Sequence, residues 1–155
     1  MKFAEDESVP IQVLLVEDNP GDARLTKEAF HAAAETMRLH IVADGVEAMA
    51  FLRNEGDHIH APRPDLILLD LNLPKMDGRE VLALIKSDQS LKIIPTIILT
   101  TSDNEADVMI SYRLRANCYL RKPAHWDAFD NLVRSINAFW LTRAKLPQQI
   151  PNAGG

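Results

Sequence analysis

The chain has 155 residues, a formal net charge of −5 and a hydrophobic fraction of 46%, which suit one soluble globular domain with a short excess. The acidic balance argues against nucleic acid or an anionic membrane as the main partner, because both bind basic surfaces. No signal peptide and no apolar run long enough to span a bilayer is found, and Cys118 is the one cysteine. We therefore expect a cytoplasmic protein.

Five short apolar runs alternate along the chain with longer segments of helical periodicity. The runs occupy residues 11–16, 40–43, 65–69, 95–100 and 117–120. The first, third and fourth are almost continuous in Val, Ile and Leu, which is typical of parallel strands buried on both faces. Pro20 marks the start of the first helix, and Asp44 with Glu47 has the pattern of a capping box before the second.

This alternation predicts an α/β fold, a doubly wound five-stranded parallel sheet with five helices on its two faces. We expect the folded domain to cover residues 11–143, with a flexible N-terminal segment at 1–10 and a flexible C-terminal tail at 144–155. In such sheets the functional site lies beyond the carboxyl ends of the strands. The residues that follow each strand are therefore the candidates.

Chemically useful side chains stand at four predicted strand ends. Glu17 and Asp18 follow the first strand, Asp70 follows the third, Thr100 ends the fourth and Lys122 follows the fifth. Clustered carboxylates need a compensating cation, and all-oxygen ligands suit Mg²⁺. A lysine and a hydroxyl can hold phosphoryl oxygens, and a carboxylate can be the nucleophile that forms an acyl phosphate. Each residue alone could be a cap or turn residue, but their coincidence favours a phosphoryl site.

Over residues 11–141 the sequence resembles the receiver domains of response regulators. Residues 70–78, Asp-Leu-Asn-Leu-Pro-Lys-Met-Asp-Gly, are similar to the phosphorylation loop of that family, and 13–19 to its first strand and acidic pair. Residues 99–101 and 119–123 resemble its switch threonine, its switch aromatic residue and its Lys-Pro pair. The resemblance implies the flavodoxin-like receiver fold and a two-component signalling function.

The resemblance also implies the ligands of a metal and the phosphoacceptor. Mg²⁺ would be held by Glu17, Asp18, Asp70 and the backbone carbonyl of Asn72. Asp70 would accept a phosphoryl group from a partner histidine kinase. Such a domain catalyses only its own phosphorylation and dephosphorylation, so we do not expect an enzyme in the ordinary sense.

Four further residues have roles that the resemblance implies. Lys122 would pair with the phosphoryl oxygens, and the hydroxyl of Thr100 would hydrogen-bond another of them. Movement of Thr100 would free space for Tyr119 to swing inward and so switch the conformation. Pro123 would follow a cis peptide bond, which a Lys-Pro bond adopts at modest cost.

A narrower resemblance concerns the partners. Residues 19–23, the long connection at 56–64 and residues 116–119 are similar to those of stand-alone receivers that partner bacterial, notably cyanobacterial, phytochrome kinases. This implies a phytochrome-type histidine kinase as partner and a homodimer through the fourth helix, fifth strand and fifth helix. It implies no nucleic-acid and no membrane partner.

Other functions were weighed against this one. A phosphorelay intermediate or a phosphate sink would use the same chemistry without an output surface, and that alternative stays open. A hydrolase with an aspartyl nucleophile usually has a second Asp two residues later, where this chain has Asn72. A binding module that is not phosphorylated would need a broken acceptor site, and no candidate residue is missing. The tail from residue 145 is too short for an output domain, so we expect output through a protein partner or a relay.

Three other features have weaker interpretations. Arg115 stands where the family commonly has glycine, so either that turn is built differently or strain is accepted. His58 and His60 lie in a predicted loop, where two histidines rarely form a metal site alone. We expect Cys118 to behave as a small buried hydrophobic residue and not as a redox sensor.

Overall fold

The fold is that of a computed structural model, which describes residues 9–33 and 37–147. Strands and helices alternate strictly along these residues. The strands are β1 (Ile11–Val16), β2 (Met37–Val42), β3 (Leu66–Leu69), β4 (Thr96–Thr100) and β5 (Cys118–Arg121). The helices are α1 (Pro20–Ala33), α2 (Gly45–Arg53), α3 (Gly78–Ser87), α4 (Glu105–Arg113) and α5 (Trp126–Trp140).

The five strands form one parallel sheet in the order β2-β1-β3-β4-β5. This confirms the predicted doubly wound fold. After β2 the chain returns past β1 to form β3, so the order reverses between β1 and β3. Ligands of open α/β sheets bind at such a reversal, beyond the carboxyl ends of the strands.

Alternate residues of the central strands feed two separate apolar layers. In β1, Leu14 and Val16 point to the face covered by α2 and α3, whereas Val13 and Leu15 point to the face covered by α1 and α5. None of these four side chains is more than 1% exposed. The two layers fix the sheet from both sides and therefore hold the carboxyl ends of β1 and β3 in place.

The structure differs from the sequence prediction at β2. That strand begins at Met37 and not at residue 40, and it ends at Val42. β2 is an edge strand, and its exposed residues Arg38 and Ile41 lie between buried Met37 and Val42. This mixed pattern hid the first half of the strand, because a continuous apolar run was the criterion.

The predicted domain limits fall partly outside the described residues. Residues 1–8 and 148–155 of the segments expected to be flexible are among those not described. Within the described part, β1 begins at Ile11 as predicted. Leu146 is only 1% exposed, so the packed part of the chain extends beyond the expected limit at residue 143.

Arg115 adopts a left-handed backbone conformation, with φ of 77°. It closes α4 in a Schellman motif, because the N–H of Arg115 donates to the Tyr112 carbonyl and the N–H of Ala116 donates to the Ser111 carbonyl, both at 2.9 Å. Glycine is preferred at this position because a Cβ atom is strained there. The turn is thus built in the usual way, and the strain of a non-glycine residue is accepted.

We expect Arg115→Gly to raise the free energy of unfolding by about 1 kcal/mol, because it removes the left-handed strain at an exposed position. Arg113→Gly is the matched control, since Arg113 is the last residue of α4 and is also exposed. Glycine there should lower stability by about 1 kcal/mol. Urea denaturation of both variants measures the effect, and a loss of stability in Arg115→Gly would contradict the interpretation.

Candidate functional site

The sheet brings together the side chains predicted to form the site. The residue after each of three strands donates its backbone N–H to the last residue of the neighbouring strand. Glu17 donates to Val42 at 3.0 Å, Asp70 donates to Val16 at 3.1 Å, and Lys122 donates to Thr100 at 2.7 Å. These bonds add one rung to the sheet, so the first side chain beyond each strand has a fixed position.

The Lys122 ammonium is the centre of the site. Its Nζ atom donates to Glu17 Oε1 in a short bond, to Asp70 Oδ2 at 3.0 Å and to Asp22 Oδ2 at 3.0 Å. Glu17, Asp70 and Lys122 are each at most 6% exposed. Since an ammonium has three hydrogens, the three carboxylates use its whole donor capacity.

Glu17, Asp18 and Asp70 form a group that could hold a metal ion. One carboxylate oxygen of each lies within 4.8 Å of the others, and Asp18 is the exposed member. The donor set consists of hard oxygens with one side open to solvent, which is typical of a site for a small divalent cation. Asn72 lies beside it, and its backbone N–H donates to Asp70 Oδ1 at 3.1 Å.

The hydroxyl of Thr100 is buried without a partner. Thr100 is 0% exposed, and its Oγ1 atom has no hydrogen-bond partner among the described residues. A buried polar group without a partner costs free energy. The hydroxyl thus has an unused bond to offer at the edge of the sheet that holds Asp70.

Tyr119 lies on β5, next to the buried layer of α2 and α3. Its ring is partly buried, and its hydroxyl donates to the Ser102 carbonyl at 2.8 Å. The segment between β4 and α4, which follows Thr100, is therefore tied to this ring. A change in the position of that segment would have to move the tyrosine.

A second polar network joins α3 to α4. Arg79 donates to Asp77 at 3.0 Å and to Asp107 at 2.6 Å, and Asp107 also accepts from the hydroxyl of Ser102 at 2.6 Å. The carboxylate partners raise the pKa of Arg79, and the bonds from Ser102 and Arg79 lower the pKa of Asp107. The network links Asp77, at the end of the loop between β3 and α3, to Ser102. The Ser102 carbonyl is the group that accepts from the Tyr119 hydroxyl.

Glycine at position 78 is required by close approach of the backbone. A Cβ atom on Gly78 would lie 2.2 Å from the Asp70 carbonyl oxygen and 2.6 Å from the Leu71 Cα atom. The Gly78 N–H donates to the Leu71 carbonyl at 2.9 Å. The start of α3 therefore packs directly on the residue that follows β3, and this fixes the loop between them.

The prediction of a cis peptide bond before Pro123 is wrong for this structure. No peptide bond among the described residues is cis. The trans form is the lower in energy for an X-Pro bond. The Lys122 side chain reaches all three carboxylates with this bond in the trans form.

Sequence reasoning missed Asp22 and the Arg79 network. Asp22 lies in the first turn of α1, at the third helical position after Asn19. That turn begins directly after the acidic pair, so its side chains lie close to the carboxyl edge of the sheet. This spacing was the one sequence feature that could have identified Asp22. No comparable feature exists for Arg79 and Asp107, which are 28 residues apart.

The remaining candidates do not form a second site among the described residues. The Nε2 atom of His58 lies 3.5 Å from Glu47 Oε2, and its ring contacts that of Phe51. Within residues 9–33 and 37–147 the one metal-type cluster is that of Glu17, Asp18 and Asp70. Cys118 is partly buried, and burial raises the pKa of its thiol. A raised pKa disfavours the reactive thiolate.

Burial and charge act in opposite directions on the central pair. Burial raises the pKa of Glu17 to about 7, although its bond with Lys122 opposes the shift. Burial alone would lower the pKa of Lys122, but the bond with Glu17 and the charge of Asp70 raise it above its ordinary value. Lys122 is therefore charged at neutral pH.

In the described part of the chain, no helix combines the length and apolar character that crossing a bilayer requires. The doubly wound sheet and the carboxylates, ammonium and hydroxyl at its reversal point are the architecture of a receiver. The sequence pattern of the response regulator receiver domain matches residues 13–134. The chain belongs to this family.

Particular relatives agree with this assignment. The chain is 51% identical over 145 residues to the response regulator Rcp1 of Synechocystis sp., which covers 94% of this chain and 99% of Rcp1. The Mn²⁺-bound crystal structure of Rcp1 superposes with a TM-score of 0.86 at 50% identity, over 89% of this chain and 99% of that one. The phosphorylated cyanobacterial phytochrome response regulator RcpA gives 0.87 at 52% identity, with the same two coverages.

We expect Glu17 to make the stability of the metal-free protein depend on pH. Its folded pKa of about 7 lies above its ordinary value of 4.5, so the folded state holds an additional proton between these values. The stabilisation is fully present below the ordinary pKa and is lost as the pH rises through the folded one. Relative to Glu17→Gln, the wild type should lose up to about 1 kcal/mol per pH unit in that window.

Urea denaturation of both proteins in a chelating buffer, at a series of pH values, measures this difference. Burial lowers the pKa of His40, which gives the opposite slope just below its ordinary value of 6.5. That contribution is present in both proteins and cancels in the comparison. Parallel curves for wild type and variant would show that Glu17 does not take up the proton.

Proposed function

We propose that this protein is a two-component response regulator that accepts a phosphoryl group on Asp70. One observation supports the proposal above the others. Asp70 is held by Lys122 beside the metal-type carboxylates, while the hydroxyl of Thr100 on the neighbouring strand has no partner within residues 9–33 and 37–147. A phosphoryl group on Asp70 would give that hydroxyl an acceptor and Lys122 a new anion.

The proposed reaction moves one phosphoryl group between two side chains. A carboxylate oxygen of Asp70 attacks the phosphorus of a phosphohistidine on the kinase. The new O–P bond forms as the P–N bond breaks, and the leaving imidazole takes a proton from solvent. Asn72 and Lys122 each bond one oxygen of the acceptor carboxylate and hold its plane. This pre-set orientation lowers the entropic part of the barrier.

We propose Mg²⁺ as the physiological cation, held by Glu17, Asp18, Asp70 and the backbone carbonyl of Asn72. When bound, it supplies positive charge that offsets the charge of the transferring group. The three carboxylates fit a divalent cation by their chemistry and spacing, and the similar protein Rcp1 has a Mn²⁺-bound form. Lys122 would then grip the phosphoryl oxygens together with Thr100.

The proposed switch joins Thr100 to Tyr119. The bond from Tyr119 to Ser102 ties the ring to the segment after β4. If the Thr100 hydroxyl turns toward a phosphoryl oxygen, this segment moves and Tyr119 moves with it. The Arg79 network would carry the same displacement to α4.

We propose a phytochrome-type histidine kinase as the partner, because RcpA is named a phytochrome response regulator. Transfer from an autophosphorylated phytochrome kinase, compared with an unrelated kinase, tests this, and equal rates would argue against it. A relay or phosphate sink remains the alternative function. The absence of an ordinary enzymatic activity and the cytoplasmic location stay predictions.

We also propose that a homodimer forms through α4, β5 and α5. This face has large apolar side chains that are about half exposed, among them Met109 and Tyr112 on α4 and Phe139 on α5. Exposed apolar patches of this kind are typical of interfaces. Light scattering over a range of concentrations tests the proposal, and a monomer in both the phosphorylated and unphosphorylated states would exclude it.

The experiment that tests the function is intact mass spectrometry after incubation with acetyl phosphate. We expect one added phosphoryl group in the wild type, dependent on Mg²⁺ and absent from Asp70→Asn, because the amide cannot form the acyl phosphate. Asp77→Asn is the matched control, since Asp77 lies on the same loop and caps α3. An adduct that persists in Asp70→Asn would place the acceptor elsewhere.

Thr100→Val tests the role of the unpartnered hydroxyl. We expect the free energy of unfolding to stay the same or to rise by about 1 kcal/mol, since a buried group without a partner is replaced by a methyl group of equal shape. Phosphorylation should persist, while the chemical-shift change at the Tyr119 amide on adding acetyl phosphate should shrink. A marked loss of stability would mean that the hydroxyl has a partner in the resting protein.

A further inference from the structure

Asp22 is the one carboxylate on Lys122 that the proposed chemistry does not use. Glu17 and Asp70 are both members of the metal-type group, and Asp70 is also the proposed acceptor. Asp22 lies outside that group, on the first turn of α1. Its side chain is 30% exposed, whereas that of Lys122 is 4% exposed. It therefore reaches the buried ammonium from the solvent side.

An ordinary helix cap does not explain the position of Asp22. At the third helical position, which Asp22 occupies, a Glu or Gln side chain usually reaches back to the N–H of the capping residue. Here the N–H of the capping residue Asn19 donates to Glu17 Oε2 at 3.1 Å. The Asn19 side chain in turn accepts from the Asp22 N–H at 2.9 Å. The Asp22 carboxylate therefore does not cap the helix, and it bonds Lys122 instead.

The donor capacity of the ammonium makes the three contacts interdependent. Lys122 gives one hydrogen to each of Glu17, Asp22 and Asp70. If the third carboxylate is made neutral, it holds that hydrogen less strongly, and the ammonium shifts toward Asp70, to which it now bonds at 3.0 Å. Glu17 and Asp70, which Lys122 then covers more fully, are two of the three carboxylates that a cation at this site would need. A closer ammonium also repels a cation.

We propose that Asp22 is a positioning residue for Lys122, which takes one hydrogen of the ammonium, limits Lys122 to one bond with each of Glu17 and Asp70, and so keeps these two carboxylates available to a divalent cation. The inference builds on the proposed function, because the cation is the one that the phosphoryl transfer requires. Asp22 sets how much metal the protein needs before it can be phosphorylated. It does not itself touch the metal or the phosphoryl group.

The test is calorimetric titration of the full chain with MgCl₂ and with MnCl₂, without any phosphoryl donor. We expect Asp22→Asn to weaken binding of both cations by about tenfold, which corresponds to about 1.4 kcal/mol. Glu28→Gln is the matched control. It removes one negative charge from the same helix, at an exposed residue whose partner is the exposed Arg24. Its affinity should stay within about twofold of the wild type.

A double-mutant cycle separates positioning from simple charge. In the background of Lys122→Met, where no ammonium remains to be positioned, the effect of Asp22→Asn should fall to about twofold or less. An equal loss in both backgrounds would overturn the proposal, because Asp22 would then act on the metal by its own charge. Should Lys122→Met not fold, Lys122→Gln takes its place in the cycle. Equal affinities for Asp22→Asn and Glu28→Gln would also overturn the proposal.

Failure of this inference is distinguishable from failure of the proposed function. The titration needs no phosphorylation, so it reports on Asp22 even if Asp70 is never modified. In acetyl phosphate labelling at saturating MgCl₂, Asp22→Asn should reach the wild-type extent of phosphorylation, since the defect lies in metal affinity. A wild type that binds metal but takes up no phosphoryl group would reject the function and leave the role of Asp22 standing.

Discussion

Compensation of buried charge at the carboxyl edge of the sheet is the constraint on which the rest of the structure depends. Glu17 and Asp70 are almost fully buried, and unpaired carboxylates in such a position would be very costly. The Lys122 ammonium offsets that cost in the resting protein. Because it bonds three carboxylates at once, any cation or anion that enters the site must take over part of its bonding. The resting arrangement is therefore poised to exchange partners.

The fold keeps these charges in place by ordinary backbone means. The three buried charged residues of the site are Glu17, Asp70 and Lys122. Each is the first residue after its strand, and its N–H is bonded to the end of the neighbouring strand. The two apolar layers hold the strands from both faces. The sheet thus fixes where each of these side chains begins, whereas the hydrogen-bond partners of the side chain depend on which polar groups or ions occupy the site. This division lets the site change its bonds without a change in the fold.

Much of this could be predicted from the sequence, for a physical reason. The central strands are buried on both faces, so they appear as apolar runs, and the polar residue that ends each run marks the site. The predicted start of β2 was three residues late because the first half of this edge strand mixes polar residues with apolar ones. Asp22 and the pair Arg79 and Asp107 were missed because their contacts depend on how the helices pack, which no local pattern encodes. The trans bond before Pro123 was missed because family resemblance was the whole basis for the prediction.

A crystal structure of the protein with Mg²⁺ and beryllofluoride, a mimic of the phosphoryl group, would test the exchange of partners most directly. We expect the fluorine atoms of the group on Asp70 to lie at about 3 Å from both Lys122 Nζ and Thr100 Oγ1. The metal would replace Lys122 as the partner of Glu17. Asp22 would keep its bond to Lys122. A structure in which Lys122 stays bonded to Glu17, while Thr100 makes no contact with the bound group, would contradict the proposed exchange of partners.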